Sequence, residues 1–211
     1  MDKIKVAIVE DDLGWLKAMI SFLNKESDIL VAGTATNMAD AIALAKTTSF
    51  DVIIMDINLN ENKCDGILAA VEILQFAKVK IIMLTSMKEK DVILDSFTAG
   101  AVNYISKEKY LEIPNAIRSA FSNNSPIEVL LNEFSQLKRN EQLKNLTPSE
   151  KQVYELLEQG HSKSEIEAKL YKTDNTVKSQ IKQILRKLCV KSSKEAVMKV
   201  KTRGLLDKDK S

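Results

Sequence analysis

The chain has 211 residues, 45% of them hydrophobic and 28% charged, and a formal net charge of +2. This composition is ordinary for a globular protein, and the length suits one large domain or two small ones. No stretch approaches the roughly 20 apolar residues of a membrane helix, and the N-terminus lacks the features of a signal peptide, so we expect a cytoplasmic protein. One histidine, His161, and two distant cysteines, Cys64 and Cys189, exclude a metal centre built on several histidines and favour reduced, unpaired thiols.

Charge is distributed unevenly along the chain. Residues 1–122 hold 13 basic and 17 acidic side chains, a net charge of −4, whereas residues 146–211 hold 15 and 9, a net charge of +6. Residues 123–145 are neutral, with three of each sign. An acidic front part and a basic back part predict two modules with different partners, of which the basic one is a candidate for binding a polyanion.

The first module alternates apolar, strand-like runs with segments of helical periodicity, five times over. Strands that are apolar throughout are typical of parallel sheets buried on both faces, and right-handed crossovers then predict a doubly wound (βα)5 fold of the α/β class. The predicted strands are residues 5–9, 29–33, 52–55, 80–84 and 102–105, and the predicted helices are residues 13–24, 38–46, 66–76, 89–98 and 111–121.

Polar side chains follow four of these strands at the point where each strand ends. They are Glu10, Asp11, Asp56, Thr85 and Lys107. Because ligands of doubly wound sheets bind outside the carboxyl ends of the strands, we expect these groups to meet at one edge. Clustered carboxylates favour Mg²⁺, and the ionised Asp56 is suited to attack a phosphoryl group while Lys107 neutralises the charge on the phosphoryl oxygens.

The motifs around these residues carry a family resemblance. Residues 1–122 resemble a bacterial two-component receiver domain in the order and spacing of Val9-Glu10-Asp11, Met55-Asp56-Ile57, Leu84-Thr85-Ser86 and Ile105-Ser106-Lys107. The resemblance implies that Asp56 accepts a phosphoryl group from a sensor histidine kinase. It implies Mg²⁺ binding by Glu10, Asp11, Asp56 and the backbone carbonyl of Asn58, and a phosphorylation switch that uses Thr85, Tyr104 and Lys107.

Two features depart from the receiver pattern. Asn60 stands where these domains usually carry proline, and Gly66 follows Asp56 by ten residues instead of the usual eight. The loop over 58–65 is therefore expected to be two residues longer than in typical receivers, which affects the conformation next to the phosphoacceptor.

A neutral connector separates the two modules. Residues 122–126 carry a turn signal, the apolar positions of 129–137 predict a helical segment, and 138–145 are mostly polar. We therefore expect a receiver domain over 1–122, a partly helical linker over 123–145 and a second domain over 146–211.

The basic module begins with clear helix signals. Thr147 and Glu150 form a capping box for a first helix that ends at Gly160, a short second helix follows, and Thr173 caps a third helix with a basic face. This order predicts an all-α helix-turn-helix domain whose third helix enters the major groove of DNA. From charge alone, a small helical bundle with a solvated basic face would be favoured.

The motifs favour the DNA-binding alternative. Residues 146–206 resemble a LuxR/NarL-type domain in Leu146-Thr147-x-x-Glu150, Glu165-Ile166, Thr176-Val177-Lys178 and Lys187-Leu188-x-Val190. The same family joins such domains to receivers, so the whole chain resembles a NarL/LuxR-type response regulator. The resemblance implies DNA contacts by Lys172, Thr176, Lys178, Ser179 and Lys182, and dimer contacts by Val197 and Val200. Cys189 and Gln180 stand where glycine and histidine are common.

These observations favour a phosphorylation-gated transcription regulator that is not itself an enzyme. Its expected partners are a sensor histidine kinase, double-stranded DNA and a second copy of the chain, with RNA polymerase as a further candidate and no membrane partner. A phosphohydrolase with an aspartyl-phosphate intermediate is a second hypothesis, but Asn58 stands where such enzymes carry a second aspartate. A third is an interaction module that is never phosphorylated, against which the complete set of five polar strand-end residues argues.

Overall fold

The computed structural model describes residues 3–59, 64–86, 90–122 and 126–202, without the side chains of 126–128 and 132. Its first part is a five-stranded parallel sheet in the order β2-β1-β3-β4-β5, which confirms the predicted doubly wound fold. The strands are β1 Ile4–Val9, β2 Ile29–Ala35, β3 Val52–Asp56, β4 Lys80–Thr85 and β5 Asn103–Ser106. The helices between and after them are α1 Leu13–Leu23, α2 Met38–Thr47, α3 Asp65–Ile73, α4 Lys90–Ala99 and α5 Ile113–Phe121.

Burial on both faces of the sheet explains why the strands are apolar throughout. Ile8 and Ile54 belong to a core cluster that includes Leu16 of α1 and Ile117 of α5, and all four are buried. The alternate residues of the strands, such as Ile53, are equally buried because side chains point to opposite faces of a strand in turn. The polar residues of the buried strands β3 and β4 stand only at the strand ends, and this places the chemistry at the strand termini.

The connection between β5 and α5 differs from the sequence expectation. A short 3-10 helix, Lys107–Glu112, follows β5 directly, and α5 begins at Ile113, with Pro114 in its first turn, and not at residue 111. Proline is favoured in the first turn of a helix because it has no N–H to leave unpaired there. Lys107 is thereby fixed at the junction between the strand and the 3-10 helix.

An arginine of α5 holds the segment before β2. Arg118 donates from Nε and Nη2 to the two carboxylate oxygens of Asp28, each at 2.8 Å, and also pairs with Glu26. The Arg118 guanidinium lowers the pKa of Asp28 to about 2. This fork fixes α5 against the turn between α1 and β2.

We expect Arg118→Gln to lower stability modestly and to remove an acid-dependent loss. Because the folded pKa of Asp28 is lowered from 3.8, its contribution is complete above that value and is lost as the pH falls toward about 2. The free energy of unfolding, measured with urea, should therefore fall more over this pH range for the wild type than for the variant. Lys109→Gln, which breaks an exposed 3.5 Å pair with Glu112, is the control. If the stability of Arg118→Gln depended on pH in the same way as that of the wild type, the Arg118–Asp28 pair would not be the source of the acid-dependent loss.

The second part of the chain is a helical unit with its own core. It contains α7 Pro148–Glu158, α8 Lys163–Leu170, α9 Asp174–Lys187 and α10 Ser193–Lys201. The predicted capping box of Thr147 and Glu150 is present at the start of α7. Val153, Ile184 and Ala196 are fully buried in the core of this unit. Cys189, which stands where glycine is common, has φ of 56°, the left-handed conformation that favours glycine at helix ends.

A longer helix, α6 Pro126–Leu143, precedes the helical unit and extends beyond the predicted helical segment into the polar residues after 137. The chain divides into two compact units between Ser135 and Gln136, within this helix. In the first unit, Ser135 donates a 2.8 Å hydrogen bond to the carbonyl of Phe97 in α4, and in the second Arg139 pairs with Glu158 at 2.6 Å. Among the helices of the described residues, none has the length and apolarity required to cross a membrane.

Candidate functional site: an acidic strand edge and a basic recognition helix

Three carboxylates meet at the carboxyl edge of the sheet. Glu10 and Asp11 follow β1, and Asp56 ends β3, the neighbour of β1 in the sheet. Each offers an oxygen, and these atoms all lie within 4.8 Å of one another. The strand order reverses between β1 and β3, which is the position where doubly wound sheets bind their ligands.

Lys107 reaches this acidic group from the end of β5. Its ammonium lies 2.8 Å from Glu10 Oε1, 2.7 Å from Glu10 Oε2 and 2.9 Å from Asp56 Oδ2. The same ammonium lies 5.0 Å from the centre of the Trp15 ring, within the range of a cation–π contact. Trp15 was not singled out by sequence reasoning. Its place on the first turn of α1, shortly after the acidic pair, is the signal that could have indicated it.

Burial dominates the electrostatics of the site. Glu10 and Asp56 are 1% and 5% exposed, and burial raises the pKa of Glu10 to about 7 against the opposing effect of Lys107. Burial also raises the pKa of Asp56, again opposed by Lys107. Burial lowers the pKa of Lys107, but its hydrogen bonds to the two carboxylates outweigh this effect, so the pKa is raised overall. The charged carboxylates therefore depend on a neighbouring cation.

The donor set fits a hard divalent cation. Among the residues that the structure describes, none donates a hydrogen bond to the buried Glu10 Oε2, although the Lys107 ammonium lies 2.7 Å away as its ion-pair partner. A buried oxygen with unused lone pairs, next to the carboxylates of Asp11 and Asp56, is the arrangement that Mg²⁺ relieves. Oxygen ligands of this kind exclude a soft-metal preference.

Gly66, in the first turn of α3, lies against the backbone of Asp56 and Ile57. The Gly66 N–H donates to the Ile57 carbonyl at 2.9 Å, and a Cβ at Gly66 would lie 1.8 Å from the Asp56 carbonyl oxygen. Only glycine permits this approach. The Asn58 side chain accepts a 3.2 Å hydrogen bond from the backbone of Cys64, which has a left-handed φ of 71°. Asn60, the departure from the receiver pattern, lies with 61–63 outside the described residues.

The predicted switch residues lie on neighbouring strands. Thr85 ends β4 and is 1% exposed, whereas Tyr104 of β5 is half-buried. Thr85 pairs in register with Ser106, and Tyr104 pairs with Met83. Because paired residues of a parallel sheet share a face, Thr85 and Tyr104 lie on the same face, two residues apart in register.

Four of the five predicted DNA-contact residues lie exposed on α9: Thr176, Lys178, Ser179 and Lys182. The fifth, Lys172, is half-buried just before the helix and donates to Ser149 at 2.7 Å and to Gln180 at 3.0 Å. Gln180, which replaces the common histidine, also donates to Ser149 at 2.6 Å. The Lys172 ammonium is therefore held by hydrogen bonds to two neutral side chains, which do not offset its positive charge.

The two residues assigned to a dimer contact have different environments. Val197 is half-buried against the core of the second unit and stays a prediction. Val200 is fully buried in that core, and its assignment to a dimer contact likewise stays a prediction. Met198, which is 43% exposed, lies on the outer face of α10.

Two family models match separate parts of the chain. A family model described as the response regulator receiver domain matches residues 6–118. A second, described as bacterial regulatory proteins of the luxR family, matches residues 144–200.

Curated relatives match along nearly the whole chain. The transcriptional regulatory protein DesR of Bacillus subtilis is 35% identical over 202 residues, which cover 95% of this chain and 98% of DesR. The response regulator protein VraR of Staphylococcus aureus is 32% identical over 200 residues, covering 92% and 95%. The uncharacterized transcriptional regulatory protein YxjL of Bacillus subtilis is 30% identical over 208 residues, covering 93% and 94%.

Solved structures show the same architecture. The response regulator domain of CheB from Thermotoga maritima is 25% identical with a TM-score of 0.54, and the match covers 58% of this chain and 99% of that one. The RcsB response regulator of Salmonella typhimurium is 20% identical with a TM-score of 0.53, covering 97% and 100%. With the acidic strand edge, the helix-turn-helix unit and the two family matches, the chain belongs to the transcriptional response regulators that join a receiver domain to a LuxR-type DNA-binding domain.

Proposed function

We propose that Asp56 is the phosphoacceptor of this regulator and that a sensor histidine kinase supplies the phosphoryl group. A carboxylate oxygen of Asp56 attacks the phosphorus of a phosphohistidine, an O–P bond forms and the P–N bond breaks. The electron pair of the broken bond stays with the imidazole, which leaves neutral after taking a proton from solvent. Asp56 needs no separate base, since a carboxylate that is ionised already has the lone pair for attack.

The residues around Asp56 fit the charges of this reaction. Glu10, Asp11, Asp56 and the backbone carbonyl of Asn58 would hold Mg²⁺, which supplies charge neutralisation for the phosphoryl oxygens. Lys107 already lies 2.9 Å from Asp56 Oδ2, so it can follow the charge from the carboxylate to the phosphoryl group. The Thr85 hydroxyl, at the end of the adjacent strand, would donate a hydrogen bond to a phosphoryl oxygen, and the Tyr104 ring would then move inward after it.

The observation that carries the proposal is the contact of one ammonium with two buried carboxylates from neighbouring strands. A structural ion pair would need one partner for Lys107, whereas this arrangement holds a surplus of negative charge at the ligand-binding edge. We propose 1–122 as the receiver domain, 123–145 as the linker and 146–211 as the DNA-binding domain, consistent with the family matches over 6–118 and 144–200.

We further propose that phosphorylation promotes a homodimer that binds paired half-sites on double-stranded DNA through α9. Lys178, Ser179 and Lys182 would face bases, and Lys172 and Thr176 would face phosphates. RNA polymerase is a further candidate partner once the dimer is on DNA.

The test is phosphoryl uptake from a small phosphodonor with Mg²⁺, followed by intact mass and by native mass with a promoter duplex. Wild type should gain one phosphoryl group and Asp56→Asn none. Asp51→Asn, at the opposite end of the same strand, is the matched control and should behave as wild type. Trp15, the only tryptophan, should report Mg²⁺ binding as a fluorescence change because its ring contacts Lys107. Uptake by Asp56→Asn equal to that of wild type would refute the assignment.

A further inference from the structure

An acidic residue lies among the cations of the proposed DNA surface. Asp174 is the first residue of α9, and its Oδ2 lies 2.7 Å from the ammonium of Lys178, one helical turn further on. Its Oδ1 contacts the ammonium of Lys163, which comes from α8. One carboxylate thus bridges the two helices of the helix-turn-helix and binds two lysines at once. Sequence reasoning named Lys178 but not its acidic partner.

Three lysines of α8, α9 and the turn between them differ in the charge of their partners. Lys163 and Lys178 share the charge of Asp174, and Lys163 also lies 3.6 Å from Glu167. Lys172, in contrast, is bound by the neutral oxygens of Ser149 and Gln180. Two positive charges are therefore offset in the free protein, while the charge of Lys172 is held in place but not neutralised.

The bridge is exposed to solvent, so it can open. The Asp174 side chain is 46% exposed and that of Lys178 is 62% exposed. Exposed ion pairs of this kind contribute little to stability and are screened by salt. Another anion, such as a DNA phosphate, can therefore replace the Asp174 carboxylate at little cost in stability.

We propose that Asp174 is a specificity-determining residue that suppresses sequence-independent DNA binding by occupying Lys163 and Lys178. Sequence-independent affinity comes from lysines that replace counterions on phosphates, and a lysine already paired with a carboxylate replaces none until that pair breaks. Base-edge contacts add affinity only at a matching site, where they can compensate for breaking the bridge. Asp174 thereby keeps binding to random DNA weak, while base-edge contacts keep binding to an operator strong.

A purely structural role for Asp174 makes a different prediction. An acid in the first turn stabilises a helix through the backbone dipole, by an amount that does not depend on which lysines lie nearby. Removal of that charge would lower the melting temperature and would leave DNA binding unchanged. The two roles are therefore separated by measuring both quantities on the same variant. The inference rests on the proposed role of α9 in DNA binding.

The test uses the full chain with Asp174→Asn, which keeps the shape of the side chain and removes its charge. Binding to a short random-sequence duplex is measured by fluorescence anisotropy over a series of salt concentrations. We expect affinity to rise roughly 2- to 30-fold near physiological salt, since two exposed ion pairs no longer compete. The slope of log K against log salt should become steeper by about 1 to 2, because each released lysine can contact a phosphate on random DNA, where Lys178 has no matching base to face.

Two further variants identify the cause. Glu195→Gln removes an acid from the first turn of α10 with the same change in net charge, and it should leave the slope unchanged. On a Lys178→Ala background, Asp174→Asn should steepen the slope by only about half as much, since one of the two lysines is gone.

Unchanged affinity and slope in Asp174→Asn, with a lower melting temperature, would overturn the proposal in favour of the dipole role. An equal gain in Glu195→Gln would overturn it in favour of net charge. Failure of the proposed DNA surface looks different, because Lys178→Ala and Lys182→Ala would then both leave duplex affinity unchanged.

Discussion

Gly66→Ala is expected to lower phosphoryl uptake strongly and to destabilise the receiver by about 1–3 kcal/mol or more. The added Cβ would lie 1.8 Å from the carbonyl oxygen of Asp56, 2.9 Å from its carbonyl carbon and 3.1 Å from Ile57 Cα. All three are backbone atoms, which no rotamer change can move. Alanine is intrinsically better than glycine inside a helix by about 1 kcal/mol, but the contact outweighs this gain. Urea unfolding and intact mass after treatment with a phosphodonor measure the two effects.

Gly14→Ala is the matched control, because its added Cβ meets only the Asp12 side chain, at 3.1 Å. A side chain can shift by a few tenths of an ångström, so stability should change little. If Gly66→Ala retained wild-type uptake and stability, the start of α3 would be free to move away from Asp56 at no cost. The two extra residues of the loop would then have made the glycine dispensable.

The acidic edge could be predicted from the sequence because the carboxyl ends of parallel strands lie at the same edge of the sheet. Once the strands were placed by their apolar runs, the topology itself brought Glu10, Asp56 and Lys107 to one edge, and no side-chain detail was needed. The direct contact of Lys107 with both carboxylates does not follow in the same way, because β5 lies two strand spacings of about 4.8 Å from β3 and three from β1, so that contact also depends on how the side chains extend. Such arguments succeed where backbone topology alone decides which residues meet.

Contacts set by local packing could not be predicted in this way. The approach of Gly66 to the Asp56 carbonyl is a backbone contact between the start of α3 and the end of β3, and the sequence between them gives only the number of residues that connect them. The cation–π contact of Trp15 and the shared pair of Asp174 depend on rotamers. Val200 was assigned to a dimer contact by resemblance alone, and its burial in the core of its own unit is a packing detail that the resemblance does not give.

The second large effect is expected in the DNA-binding unit, where Lys187→Met should cost about 1–3 kcal/mol of unfolding free energy. Glu150 is 6% exposed, and its Oε2 accepts hydrogen bonds from the Thr147 N–H and the Lys187 ammonium, each at 2.7 Å. Without Lys187 the carboxylate remains buried with Thr147 as its hydrogen-bond donor. The cost lies below that of a fully buried pair because the Lys187 side chain is 25% exposed.

The pH dependence of stability should distinguish loss of the Glu150–Lys187 ion pair from a simple loss of packing. Burial raises the pKa of Glu150, but the hydrogen bonds from Lys187 and Thr147 outweigh it, so the pKa is lowered overall. Its contribution is therefore present above 4.5 and is lost as the pH falls through the lowered value. Lys187→Met should show less of this loss than the wild type, whereas a packing defect would leave the pH profile unchanged.

A double variant, Glu150→Leu with Lys187→Met, distinguishes the cost of an unpaired charge from the value of the pair itself. Replacing both partners by apolar side chains removes the buried charge, so most of the stability lost in Lys187→Met should return, except the part owed to the Thr147 cap. Urea unfolding of the four proteins in this cycle gives the coupling energy. If the double variant were as unstable as Lys187→Met alone, the pair would stabilise the unit directly. The link between the start of α7 and the end of α9 would then depend on charge.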